Sequence, residues 1–251
     1  MNILSLSLFY ALKQFMGTNK TWATPYSYSL FPVMCENRER NLIVIGISGV
    51  TCGGKTTTAT KLANLLPNCK IIGQDDYFLV EDDPRHTWIP ELNHVNYDTI
   101  TSLDMDQMYE DLLEIINKFK RKGVLEESKN SANQEAKENC ISLTRFKDSN
   151  VSFLIVEGFS IFNFKPLLPL FHLKYYFVLD KDKCLERREK RAYEPPDCPG
   201  YFEKCVWPEH LAQLKEVKTF VKNVCYFDGD SELDIIQKIL ADITEYLKSS
   251  T

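Results

Sequence analysis

One feature narrows the options of this chain more than any other: an apolar strand runs into a glycine-rich turn and then into a helix. Leu42 to Ile47 is a continuous apolar run, Gly49-Val50-Thr51-Cys52-Gly53-Gly54-Lys55-Thr56 follows it, and a helical pattern extends from Lys55 to Leu66. The turn matches G-x-x-x-x-G-K-[ST] in full, and the flanking strand and helix are the context that makes such a match meaningful. Glycines let the backbone curl so that its N–H groups converge on phosphate oxygens. The helix that follows adds its positive N-terminal end. Lys55 can reach the outer phosphates of a nucleotide, the Thr56 hydroxyl can bind Mg²⁺, and Thr57 completes the nucleotide-binding stretch. The loop therefore predicts ATP as phosphoryl donor, with Mg²⁺.

The rest of the chain supports an α/β frame. Besides Leu42–Ile47, apolar runs at Cys69–Gly73, Phe153–Val156, Tyr175–Leu179 and Val224–Phe227 read as buried strands. Helical patterns lie between them, at 55–66, 104–122, 181–191, 208–222 and 231–248, the last with Leu233, Ile236 and Leu240 at amphipathic spacing. Short apolar strands alternating with helices predict a five-stranded parallel sheet with helices on both faces. Residues 42–251 read as one P-loop α/β domain, in which 123–150 is a polar insertion. Residues 1–41 read as a disordered or weakly helical extension, because the apolar run Ile3–Leu12 is too short to span a bilayer and lacks the basic flank of a secretory signal.

Composition removes several function classes. A net charge of −5 speaks against a general nucleic-acid binder, so phosphates must be held by local positive groups. The eight cysteines form no C-x-x-C pair, which argues against a zinc site and for reduced thiols in a reducing, cytoplasmic setting. No stretch predicts a membrane span or an obligate protein partner. A GTPase-like switch or nucleotide-gated binding module is the non-enzymatic alternative. It would need a guanine-reading N-K-x-D, which is absent, and the D-x-x-G at Asp197-Cys198-Pro199-Gly200 follows a helix and two prolines rather than a strand.

A small-molecule kinase needs an acid beside the attacking hydroxyl, a second acid facing Mg²⁺, and arginines over the phosphates. Asp75, in Gln74-Asp75-Asp76-Tyr77-Phe78, and Glu157, in Ile155-Val156-Glu157-Gly158-Phe159, both follow strands, where the ligand edge of a parallel sheet lies. Asp75 is the candidate general base and Glu157 the candidate Mg²⁺-side acid. Arg187 and Arg191 stand four apart in a helical pattern, so they are expected to share a face and clamp the phosphoryl group, leaving Arg188 free for substrate.

These residues, with Leu66-Pro67-Asn68-Cys69, Tyr97-Asp98, Phe162 to Leu167 and Tyr193-Glu194-Pro195-Pro196-Asp197-Cys198-Pro199-Gly200-Tyr201-Phe202 through Val206-Trp207-Pro208, closely resemble the nicotinamide riboside kinases of the uridine-kinase-like P-loop group. The resemblance covers roughly 42–210, and the Pro-Pro-Asp to Trp-Pro stretch is its most specific part. It implies phosphorylation of a small nucleoside, nicotinamide riboside, to its mononucleotide in NAD synthesis. It also implies that Asp75 serves the ribose 5′-hydroxyl, Asp98 and Arg188 hold the 2′- and 3′-hydroxyls, and Tyr97 and Tyr193 sandwich the pyridine ring. Thr56 and Glu157 would serve Mg²⁺, with Arg187 and Arg191 in the lid of a P-loop kinase domain whose small helical lid and substrate segment is 187–205. Uridine/cytidine kinase is the enzymatic alternative. The chain departs from the pattern in 1–41, in the length of 123–150, and in the less polar Cys52-Gly53 pair inside the loop, which a backbone-built site should tolerate.

Overall fold

The computed structural model describes residues 42–122, 125, 151–231 and 234–249; the readings of 1–41 and, apart from Leu125, of 123–150 lie outside them. The chain-order elements are β1 (Leu42–Gly49), α1 (Lys55–Leu65), β2 (Cys69–Gly73), β3 (Thr87–Ile89), β4 (His94–Asn96), α2 (Met105–Lys122), β5 (Ser152–Glu157), β6 (Leu173–Val178), α3 (Lys181–Arg188), α4 (Trp207–Phe220), β7 (Val224–Asp228) and α5 (Ile235–Ser249).

Five strands form one parallel sheet in the order β2-β5-β1-β6-β7. The central strand shows why the runs carry no polar alternation: all of β1 is buried, because both its faces are covered. Leu42 and Val44 point into a core shared with Met105, Met108, Leu112 and Phe119 of α2 and Val217 of α4. Ile43, Ile45 and Ile47 point the other way, against Ala59 and Leu62 of α1 and Ile239, Leu240 and Ile243 of α5. Ile45 and Ile47 are wholly buried, each such side chain adding about 1.5–3 kcal/mol.

Three expectations change. The predicted helix 181–191 stops at Arg188, with Glu189 as its cap. The helix predicted from 208 begins at Trp207 and is preceded by a π-helical turn, Phe202–Val206. The last helix starts at Ile235 rather than at Ser231, and Leu233 lies outside the described residues. An antiparallel hairpin of β3 with β4 was not foreseen. Its three-residue strands are too short to show a period, yet they set the next two residues, Tyr97 and Asp98, beside the site.

Candidate active site

The ends of β1, β2 and β5 carry the phosphate side. Gly49 turns the chain out of β1 at φ 127°, and a Cβ there would lie 2.1 Å from the Phe177 carbonyl oxygen, so only glycine fits. Val50 N–H bonds that carbonyl at 3.0 Å, and Gly53 N–H bonds the Val50 carbonyl at 3.2 Å. Helix α1 starts from Gly54, which has a left-handed conformation and no side-chain cap. Its first backbone bond is Thr58 N–H to the Gly54 carbonyl, so the N–H groups of Lys55, Thr56 and Thr57 stand ahead of the ladder, facing the loop. Lys55 Nζ donates to the Val50 carbonyl at 2.8 Å. Burial pulls its pKa down, against the carboxylates of Glu157 and Asp75.

Thr56 Oγ1 donates to Glu157 Oε1 at 3.0 Å, across 101 positions of sequence. Burial raises the Glu157 pKa, opposed by Lys55 and Thr56. A hydroxyl and a carboxylate side by side are the hard oxygen donors that Mg²⁺ takes. No cluster of three or more His, Cys, Asp or Glu forms a self-contained cage among the described residues. The pair thus fits an ion held largely by phosphate and water.

Asp75 is exposed in the 3₁₀ turn Gln74–Tyr77. The buried Gln74 pins that turn, donating to Ser160 Oγ and accepting from Ser160 N–H, both at 3.0 Å. The Asp75 charge acts on Lys55, Glu157 and Arg191. The neighbouring Asp76 acts instead on Tyr77.

On the other side of the loop, Arg188 is 7% exposed and far from free. Its guanidinium forks onto Asp197 at 2.6 and 3.0 Å, donates to Thr51 Oγ1 at 3.3 Å and lies 3.6 Å from Asp98. It also sits 4.2 Å from the Tyr193 ring centroid. Burial works against its charge, and Asp197 and Asp98 more than offset that, raising its pKa. Burial likewise raises the pKa of Asp98, opposed by Arg188 and the Tyr201 hydroxyl. Arg188 is therefore the centre of a network and joins the loop to Asp98 directly.

Arg187 and Arg191 do not share a helical face, because the helix ends between them. They meet at the loop instead: Arg187 donates to the Cys52 and Gly229 carbonyls at 3.3 and 3.0 Å, and Arg191 reaches Cys52 Sγ at 3.8 Å. Burial pushes the Cys52 thiol up, but Tyr193, Arg191 and Thr51 outweigh it and its pKa is lowered. Tyr193 lies over the loop, its hydroxyl 3.5 Å from both Thr51 Oγ1 and Cys52 Sγ. Tyr97 turns its ring to His86, His94 and Phe78, with centroids at 5.3, 5.8 and 6.2 Å. The two tyrosines thus keep separate partners among the described residues.

Sequence reasoning assigned no role to Tyr201, Asp197 or Gln213. Tyr201 donates its hydroxyl to Asp98 at 3.0 Å and accepts from Tyr97 N–H at 2.8 Å. Gln213 holds the Asp98 carbonyl at 2.8 Å. Tyr201 and Asp197 lie in the stretch that carries the resemblance, which was the available signal; Gln213 had none.

No protein-family model matches the chain. Among curated proteins, nicotinamide riboside kinase 1 of Rattus norvegicus is 36% identical over 206 residues, spanning 82% of this chain and 95% of its own. Nicotinamide riboside kinase 1 of Homo sapiens is 33% identical over 205 residues, spanning 81% and 93%. A uridine kinase of Streptococcus pyogenes serotype M5 is more distant, 28% identical over 151 residues, spanning 59% and 67%.

Proposed function

The chain belongs to the nicotinamide riboside kinase family, and from that premise we propose that it transfers the γ-phosphoryl group of ATP to the ribose 5′-hydroxyl of nicotinamide riboside, as a step in NAD synthesis. The observation that carries the reading is the reach of Arg188, which touches Thr51 of the phosphate loop at 3.3 Å and Asp98 at 3.6 Å. Phosphate-binding and hydroxyl-binding groups thereby line one continuous site.

The phosphates lie along the N–H groups from Gly49 to Thr57, with Lys55 at the outer ones. Asp75 accepts the proton of the 5′-hydroxyl as its oxygen attacks the γ-phosphorus, and the bond to the β-phosphate oxygen breaks to release ADP. Thr56 and Glu157 would hold Mg²⁺, which neutralises phosphate charge when bound. Arg187 and Arg191 exchange their contacts at Cys52 for phosphate oxygens as charge spreads over the transferred group. Asp98 and Arg188 hold the sugar diol. Tyr97 and Tyr193 offer aromatic faces to the pyridinium, whose positive charge uridine lacks. Nicotinic acid riboside carries the same ring and is a candidate second substrate.

Purified full-length protein assayed with ATP-Mg²⁺ against nicotinamide riboside, nicotinic acid riboside, uridine and cytidine tests this. The expected order places a pyridine riboside first by kcat/KM. A higher kcat/KM for uridine or cytidine would overturn the substrate assignment in favour of a pyrimidine nucleoside kinase.

A further inference from the structure

Helix α4 opens directly behind the π-helical turn. Val206, the last residue of that turn, and His210 and Gln213 of the helix are spaced by four and then three, which sets them on one side. Together with Gly49, Val50, Thr51, Asp98 and Phe159 they line a small open cleft beside the phosphate loop. His210 is 6% exposed. Its ring lies near parallel to Tyr176, with centroids 6.3 Å apart, and packs against Trp207 at 5.3 Å. These ring contacts fix the imidazole plane, while its nitrogens have no hydrogen-bond partner among the described residues. Neither nitrogen is sealed from solvent, so water can serve it until a ligand hydroxyl takes its place. Burial, with help from the charges of Lys55 and Lys218, pushes the His210 pKa down to about 4. The ring is therefore neutral at neutral pH, with one nitrogen that donates and one that accepts.

Building on the ribose-binding role proposed for Asp98, we infer that His210 is a substrate-binding residue that hydrogen-bonds the ribose hydroxyl edge and so selects ribosides over deoxyribosides. The chemistry of the three groups is complementary. A carboxylate such as Asp98 only accepts, and a guanidinium such as Arg188 only donates. Each hydroxyl of a diol needs both kinds of partner, and a neutral imidazole supplies either. A deoxyriboside would lack one of the hydroxyls that the imidazole bonds, and that lost hydrogen bond is what produces selection.

The test compares wild type with His210→Phe, which keeps the ring packing and removes both nitrogens, and with His210→Gln, which restores a polar group. KM and kcat are measured at saturating ATP for nicotinamide riboside and its 2′-deoxy and 3′-deoxy counterparts, with ATP affinity measured separately. His210→Phe is expected to raise the riboside KM by about 3- to 10-fold and to shrink the preference over one deoxy analogue by a similar factor. His210→Gln is expected to fall between, and ATP affinity to stay within about twofold. An ATP-binding Phe variant with wild-type KM and wild-type discrimination would show that His210 only packs. Wild-type protein alone supplies a second decision: equal use of ribosides and deoxyribosides would overturn the inference whatever the variants do. If wild type prefers another riboside, only the base assignment fails, and the same deoxy comparison on that riboside still decides the role of His210.

Discussion

The phosphate loop and the segment from Lys181 to Val206 meet at Thr51 and Cys52, yet they are held by different forces. The loop is the exit of a strand buried on both faces, and backbone hydrogen bonds and a glycine that admits no Cβ set its shape. The segment has an eight-residue helix and a π-helical turn, and the turn's cluster is small: Val50, Leu179, Cys184, Tyr201, Phe202, Cys205 and Val206. A helix that short is not stable by itself. Side chains do the holding, with Arg188 bonded to Thr51 across 137 positions and Tyr201 to Asp98 across 103. A backbone-built site tolerates side-chain change, whereas a side-chain network loses function and stability together.

The largest expected effect lies on the phosphate side, where chemistry can be lost while the fold remains. Asp75→Ala should lower single-turnover transfer by about 10²–10⁴-fold while ATP still binds, because Asp75 is exposed and no packing depends on it. Fast transfer by Asp75→Ala together with a dead Asp76→Ala would move the base one residue on. In the segment, Arg188→Ala should act on stability first. It leaves Asp98 and Asp197 without their buried counter-charge, at about 3–5 kcal/mol, which urea denaturation would read. A loss under 1 kcal/mol would mean that the network is not what holds the segment.

Tyr193→Ala comes next. Removing one aromatic face at about 0.5–2 kcal/mol should raise the KM for nicotinamide riboside by about 2- to 30-fold and change ATP affinity less. A larger change in ATP affinity would assign Tyr193 to the loop, where its hydroxyl already lies. The smallest effect is expected of Cys52→Ser. If the backbone does the binding, ATP affinity should hold within about twofold. A tenfold loss would show that the contacts of Cys52 Sγ with Arg191 and Tyr193 matter to the nucleotide, and that the loop is less purely a backbone device than its glycines suggest.

The strands and the loop were legible because their causes are local. An all-apolar run such as Leu42–Ile47 can be satisfied only between two covered faces, and a glycine-rich turn between strand and helix can do little but present its N–H groups. Asp75 and Glu157 could be singled out for the same reason, since strand ends in a parallel sheet converge on one edge. The hairpin 87–96 escaped because three-residue strands have no readable period. The paired role of Arg187 and Arg191 was inferred from a helix that ends too soon, and their convergence on Cys52 comes from the loop rather than from spacing.

By itself, then, the sequence determined the sheet, the phosphate loop and the two acids beside it, because hydrophobic period and backbone geometry act over a few residues. Only the tertiary structure decided that Arg188 is buried rather than free, that Tyr201 and Gln213 hold Asp98, and that His210 lines the same cleft as Asp98. Whether a polar side chain is spent on a neighbour or left for a ligand depends on which distant groups the fold brings within about 3 Å of it, and no local pattern encodes that distance.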